Sequence, residues 1–486
     1  MGQGKRKKKA RLDRQLLSRQ MISVRFNVLA IGTRRSPARL LADERSYWSD
    51  LQEKALGVVF RDTVDDDFGW SLLVRDRVGR FRWVDGDVSL RSEGYATNGL
   101  RERIARVVQE NNYEALGDQG DETNYPVDLF ALPPDADPQR LHPSFKLVMD
   151  APGRAPSRAV LMQIAPWLAP SDPHFVREFQ FTQFDQRLWE LYLWAALREL
   201  GFDIEQPEAP DFLCRAPGIE FTVEATTVAA STSGPLAVHP NPETQEEMRE
   251  FLANHMPMKF GSALTSKLNK KNKDGESYWE RRKAANKPFI LAIADFHKPG
   301  KLDEPGSMTY TASALWPYLY GHRVEWELED GQLKISAIKN PEHVYGEKVI
   351  PSGFFDLPGA ENISAVLFSN AGTLAKFDRM GVGAGFGAPD HRYYRVGVRY
   401  NHDKNAVSPK PFAEEVKIGH EEFWSDELQL FHNPNAKHSL STDAFGITQH
   451  FFENGEVRSI TPENTVLASR TLIVRLIGKE EEKSVV

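Results

Sequence analysis

The spacing of hydrophobic positions changes several times along this chain, and each change marks an element. From Leu188 to Leu197 almost every residue is apolar and Glu190 is the only charged one. That pattern predicts a helix, begun at Phe184, that is buried on nearly every side. In Ile219 to Glu224 the apolar Ile219, Phe221 and Val223 alternate with Glu220, Thr222 and Glu224, which is the period of a strand. Arg215-Ala-Pro-Gly218 separates this run from Asp211-Phe-Leu-Cys214, and a Pro-Gly turn between two strand-like runs predicts a hairpin. Pro288 to Phe296 and Ile363 to Ser369 are short apolar runs expected as buried strands, the second leading into a helix through Arg379. Helices are expected over Glu246 to about Asn272 and over Ala312 to Tyr320, and a hairpin over Val324 to Ile338 that turns at Asp330-Gly331. Two buried strands, each beside a helix, imply an α/β fold with a mixed sheet covered on both faces.

The N-terminal third carries no comparable signal. Met21 to Ala30 is expected as a strand, Asp43 to Leu56 as a helix, Gly69 to Asp87 as a hairpin turning at Asp76 to Gly79, and Leu100 to Val108 as a helix. Asp118 to Pro156 is dense in Pro, Asp and Gly and is expected as a long connection, followed by a helix over Ala159 to Leu168. The expected organisation is a basic flexible tail over 1–20, an N-terminal α+β domain over 21–165, and a core with C-terminal elaboration over 166–486. The Ala-, Ser-, Thr- and Pro-rich stretch from Thr226 to Thr244 is expected to be mobile.

Composition narrows the class. The chain has 486 residues, 41% hydrophobic and 27% charged, as in globular proteins with real cores. It has no run near the roughly 18 to 20 apolar residues that cross a bilayer, and no apolar segment follows the basic start, so a cytoplasmic chain without membrane partners is expected. The single cysteine, Cys214, excludes an internal disulfide and a Cys-rich zinc site. The net charge of −7 argues against indiscriminate coating of nucleic acid, so local patches matter more. Residues 1–20 hold eight Lys or Arg against one Asp, a solvated tail or an aid in holding a polyanion.

The candidate chemistry lies in the central helix and hairpin. If the hairpin is symmetric about its turn, Cys214 pairs with Ile219 and Asp211 with Thr222. Asp211 and Glu224 then share a face as diagonal neighbours roughly 7 Å apart, close enough to grip one cation. A slip of one residue would part them. Two anions on one strand pair, with Glu190 on an adjoining buried helix, repel unless a metal or a proton neutralises them. The alternative is an ordinary hairpin whose Asp and Glu are exposed, beside a helix whose Glu is satisfied locally.

With Glu190 on the preceding helix, Pro210-Asp211 opening a strand and Glu224-Ala225-Thr226 closing the next, this segment resembles the PD-(D/E)XK phosphodiesterase superfamily. The resemblance implies a restriction-endonuclease-like core and a Mg2+- or Mn2+-dependent endonuclease. Asp211, Glu224 and the Ala225 carbonyl would ligate the ion, and Glu190 would hold a metal water or a second ion. The superfamily's lysine two residues past the Glu is replaced here by Thr226, which can orient a water but carries no charge. Members with a relocated lysine belong to the family pattern, and Lys267 on the following helix is the expected replacement. Lys267, Lys270, Lys271 and Lys273 can face phosphates; they equally suit a solvated helix end beside the negative pole of its dipole.

The expected partner is nucleic acid, DNA ahead of RNA, with defence against foreign DNA as the setting that analogy implies. The N-terminal domain is expected to serve pairing with a second copy or docking of a partner protein. The competing readings are an inactive nuclease-like nucleic-acid-binding or regulatory protein and a hydrolase of another phosphorylated compound. The glycines 381, 383, 385 and 387 follow a helix and precede a strand, the wrong order for a nucleotide cradle. His432-Asn433-Pro434 reads as a turn.

Overall fold

The computed structural model describes residues 16–34, 41–123, 126–169, 172–228, 240, 242, 244–296, 312–330 and 332–476. Among them the chain is a mixed α/β protein built around several sheets. The first is an antiparallel meander of β1 (Ser18–Met21), β2 (Ala42–Asp50), β3 (Ala55–Asp62), β4 (Phe68–Arg75) and β5 (Phe81–Leu90). Its two faces are apolar in alternation, so each needs a cover. Helix α1 (Ser23–Leu29) packs Phe26 and Leu29 onto Leu56, Leu73 and Phe81. Helix α2 (Glu93–Glu110) packs Leu100, Ile104 and Val107 onto Val59, Trp70 and Leu72.

Three expectations fail here. Met21 to Ala30 is mostly helix, because Phe26, Val28 and Leu29 meet cores on the helical face. Asp43 to Leu56 is mostly strand, because β2 is paired on both sides, by β1 and β3, and ladder pairing overrides its helix-like spacing. The end of the expected tail forms β1; residues 1–15 lie outside the described residues. The hairpin through β4 and β5 and the helix around Leu100 to Val108 stand as expected.

Residues on both sides of 165 share one core. Residues 118–156 include α3 (Pro143–Asp150), and α4 (Ala155–Ile164) follows directly. Their Phe145, Val148, Val160, Leu161 and Ile164 join the main core together with α5 (Phe175–Phe181) and α6 (Phe184–Glu199). The expected long connection is therefore partly helical and partly core.

The main sheet has eight strands: β6 (Asp203–Glu205), β7 (Phe212–Ala216), β8 (Ile219–Val228), β9 (Phe289–Asp295), β14 (Ala365–Ser369), β17 (Gln429–His432), β18 (Thr448–Glu453) and β19 (Glu456–Ile460). Between β9 and β14 lie two small hairpins, β10 (His322–Glu329) with β11 (Gln332–Lys339) and β12 (Glu342–Tyr345) with β13 (Lys348–Pro351). A three-stranded sheet of β15 (His391–Arg399), β16 (Lys410–Val416) and β20 (Val466–Arg475) completes the set. The spatial order of the main sheet is β19-β18-β17-β14-β9-β8-β7-β6. Strands β8, β9 and β14 run parallel, while at one edge β7 is antiparallel to β8 and β6 antiparallel to β7.

One face of this sheet presents Phe212, Cys214, Phe221, Val223, Ile290, Ala292 and Leu367 to α6, and Cys214 is core as its strand position implied. The other presents Phe289, Leu291, Ile293, Val366 and Phe368 to α7 (Met256–Asn269) and α8 (Ala312–Tyr320). Burying each Val, Leu, Ile or Phe side chain among these stabilises the fold by roughly 1.5–3 kcal/mol before the loss of conformational entropy. Helix α7 continues from Gln245–Glu250 through a π-helical turn at Phe251–His255. Helix α9 (Leu374–Gly383) crosses α4 closely because Gly381 has no Cβ, which would come within 2.6 Å of the Pro156 carbonyl. This gives one glycine of the Gly-rich stretch a packing role. Gly331, in the expected turn between β10 and β11, and most of the stretch from Thr226 to Thr244 lie outside the described residues.

Candidate functional site

The hairpin register decides how the acidic pair meets. Ala216 pairs with Ile219, Cys214 with Phe221 and Phe212 with Val223. Pro217-Gly218 is thus a two-residue turn, with Gly218 at φ +78 where a side chain would be strained. The expected pairing of Cys214 with Ile219 and Asp211 with Thr222 is off by two residues, which preserves the face. Continuing the observed ladder sets Asp211 opposite Glu224 rather than diagonal to it. Strand β7 begins only at Phe212, so the Ala225 amide has no strand partner on that side. Asp211 takes its place, accepting from Ala225 N–H at 2.7 Å.

Glu224 and Thr226 alternate with the apolar Val223 and Ala225 and so face the α7 layer. From the last turn of α7, Lys267 Nζ donates to Glu224 Oε1 at 2.5 Å. Glu224 and Lys267 keep 6% and 19% of their side-chain surface exposed. The hydroxyl of the buried Tyr278 interacts with Glu224; burial first, and then that negative charge, push the phenol well up.

Glu190 comes from the α6 layer on the opposite face. Its Oε1 accepts from Gln186 Nε2 at 2.9 Å and from Arg187 Nη1 at 3.2 Å, and its Oε2 accepts from Arg187 Nη1 at 2.9 Å. Gln186 also accepts from Thr227 Oγ1 at 3.1 Å, tying α6 to β8. Arg187 donates further to Glu178 and Asp172. Burial opposes its charge, and these carboxylates more than offset that, raising its pKa.

These groups, Thr227 excepted, line one cavity of about 440 Å³. Burial, then the negative charges of Glu224 and Glu190, hold the Asp211 carboxyl well above the usual carboxylate range. Glu190 is raised by burial, partly offset by Arg187 and Gln186, with Glu224 adding to the rise.

The structure therefore brings Glu190, Asp211, Glu224, Ala225, Thr226, Lys267 and Lys270 to one cavity, while Lys271 and Lys273 are exposed and do not line it. Among the described residues no group of three or more His, Cys, Asp or Glu side chains converges as a metal would require. In the structure the three carboxylates each have a different partner. Arg187 and Gln186 hold Glu190, the Ala225 amide holds Asp211, and Lys267 holds Glu224. The donors nonetheless fit a hard cation in kind, since Asp211, Glu224 and the Ala225 carbonyl are oxygen ligands beside one another. The Lys267 ammonium already stands as a cation on Glu224. Glu190 does not fit as a ligand without losing Arg187.

The pattern of the sequence left out Gln186, Arg187, Asp172, Glu178 and Tyr278. Gln186 and Arg187 stand four and three residues before Glu190, the spacing at which helix side chains meet, so that signal was present. Asp172, Glu178 and Tyr278 arrive through tertiary packing alone. No family model, curated protein or solved structure shows a significant match to the chain.

Proposed function

We propose that this chain is a divalent-metal-dependent phosphodiesterase acting on nucleic acid, with the restriction-endonuclease-like core of the PD-(D/E)XK superfamily. The observation that carries the reading is Lys267. The motif position holds Thr226, yet a lysine from a different helix reaches Glu224 at 2.5 Å, in the cavity that also holds Asp211 and Glu190. Asp211 and Glu224, with the Ala225 carbonyl, would hold one Mg2+ or Mn2+. When bound, the ion supplies Lewis-acid polarisation of the phosphoryl group and acidifies a water. Lys267 moves its charge from Glu224 to the phosphoryl oxygens, where negative charge builds in the transition state. Thr226, two residues beyond Glu224 on the same face, orients the water through its hydroxyl. Glu190 acts by position: fixed by Gln186 and Arg187, it keeps a negative wall opposite Asp211.

One observation favours a second reading. A site whose carboxylates are all satisfied by protein groups is also what an inactive, nucleic-acid-binding descendant would retain. Purified protein is incubated with Mg2+ or Mn2+ and plasmid, single-stranded DNA and RNA. Cleavage that disappears in folded Asp211→Ala and Glu224→Ala variants supports the enzyme. Binding without cleavage under either metal supports the binder.

A further inference from the structure

Four basic side chains line the cavity: Arg187, Lys267, Lys270 and Arg281. The first two are committed to carboxylates. Outside the cavity Arg215, Lys283 and Lys287 are likewise drawn to Glu205 or Glu220. Lys270 and Arg281 differ, since neither pairs with a carboxylate among the described residues. The Nε of Arg281 is moreover buried and has no hydrogen-bond partner among those residues, a donor in the cavity wall that a ligand oxygen would satisfy.

Both cations are mounted on one ring. Arg281 Cζ lies 4.6 Å and Lys270 Nζ 5.8 Å from the centroid of Tyr278, which is itself stacked on Phe289 at 6.2 Å. The loop that carries them is built rather than slack. Lys271 bridges Ser277, Asn272 Oδ1 accepts from the amides of Asp274 and Glu276 at 2.9 Å each, and Ser277 and Glu280 form a capping box. The backbone that carries the two cations is thus ordered before any ligand arrives, which lowers the cost of binding.

We propose that Lys270 and Arg281, on the Tyr278 ring, form a phosphate clamp that holds the phosphodiester next to the scissile one. The inference rests on the nuclease reading for the identity of the strand, and on its own observations for the anion. A guanidinium fork and an ammonium match the oxygens of a phosphate. Tyr278 is too deeply buried to stack on a base, so the clamp reads backbone rather than sequence. It contributes affinity equally on every sequence and makes that affinity sensitive to salt.

The test measures binding of a labelled oligonucleotide to the full chain in metal-free buffer across a salt series, with inorganic phosphate as a competitor in a second arm. Arg281→Gln and Lys270→Gln are each expected to reduce the slope of log K against log salt by about one and to weaken binding evenly across sequences. Arg281→Lys is expected to recover the slope without the full affinity. An unchanged slope in both glutamine variants, with wild-type binding intact, overturns the clamp. Should the wild type bind phosphate through Arg281 but no polynucleotide, the anion site stands and its role on a nucleic-acid strand is overturned. If it binds neither, the clamp is overturned, while the nuclease reading is decided by the cleavage assay with metal.

Discussion

Lys267→Met is the perturbation that separates the roles proposed for this site. The change removes the ammonium from Glu224, keeps most of the side-chain volume, and leaves a buried carboxylate facing Asp211 and Glu190. Breaking a buried pair from one side costs about 3–5 kcal/mol. Because Lys267 keeps 19% of its side-chain surface exposed, water screens part of the loss and about 3 kcal/mol is expected. The same lysine competes with a divalent ion for Glu224. Its removal should therefore tighten Mn2+ binding by up to about 100-fold, the equivalent of that energy. At an ion concentration about 100 times Kd, Mn2+ would restore about 2.7 kcal/mol, nearly all that was lost. Cleavage should fall by about 10²–10³, the usual cost of removing one electrostatic stabiliser of the transition state. Denaturant unfolding with and without Mn2+, and a Mn2+ binding isotherm, measure all but the last. Equal Mn2+ affinity in wild type and Lys267→Met would refute the competition, and equal metal-free stability would refute the buried pair.

Three further outcomes follow from the same physics. The Asp211 carboxyl is raised in the folded state above its unfolded value of about 3.9, so its contribution to stability is fully present below that pH and is lost as pH rises through the folded value. The metal-free wild type should thus lose stability relative to Asp211→Asn as pH is raised from about 4, and Mn2+ should close the gap; a gap independent of pH in denaturant melts refutes this. Arg187→Gln strands Asp172, Glu178 and Glu190 without their shared cation and should cost about 3 kcal/mol, with Arg187→Lys recovering only part because an ammonium lacks the fork; full recovery by lysine in unfolding experiments would show that charge alone matters. Lys376, fully buried between Glu422 at 2.7 Å and Glu427 at 2.8 Å, joins Arg379 and Arg395 in an ion network behind α9. Lys376→Met should destabilise by about 3–5 kcal/mol whether or not metal is present, and a loss below about 1 kcal/mol would place that network among the dispensable ones.

What the sequence determined by itself was local. A helix apolar on every side, a strand of period two and a Pro-Gly turn specify α6, β7 and β8, because each depends on residues a few positions apart. They also put Asp211 and Glu224 on one face, since a register error of two residues leaves side-chain direction unchanged. The same local reading failed over Met21 to Ala30 and Asp43 to Leu56, whose conformations are set by the strands and helices packed on them.

Only the tertiary structure decided which cations reach the acids from other elements. Lys267 stands 43 residues beyond Glu224, on a helix that covers the sheet face opposite α6. Asp172 and Glu178 reach Arg187 from outside α6, and Tyr278 gathers three basic side chains around one ring. Such pairings depend on how layers stack over a sheet, and spacing along the chain carries no trace of that. The three carboxylates that the sequence offers as one acidic cluster thus each meet a different partner around one cavity.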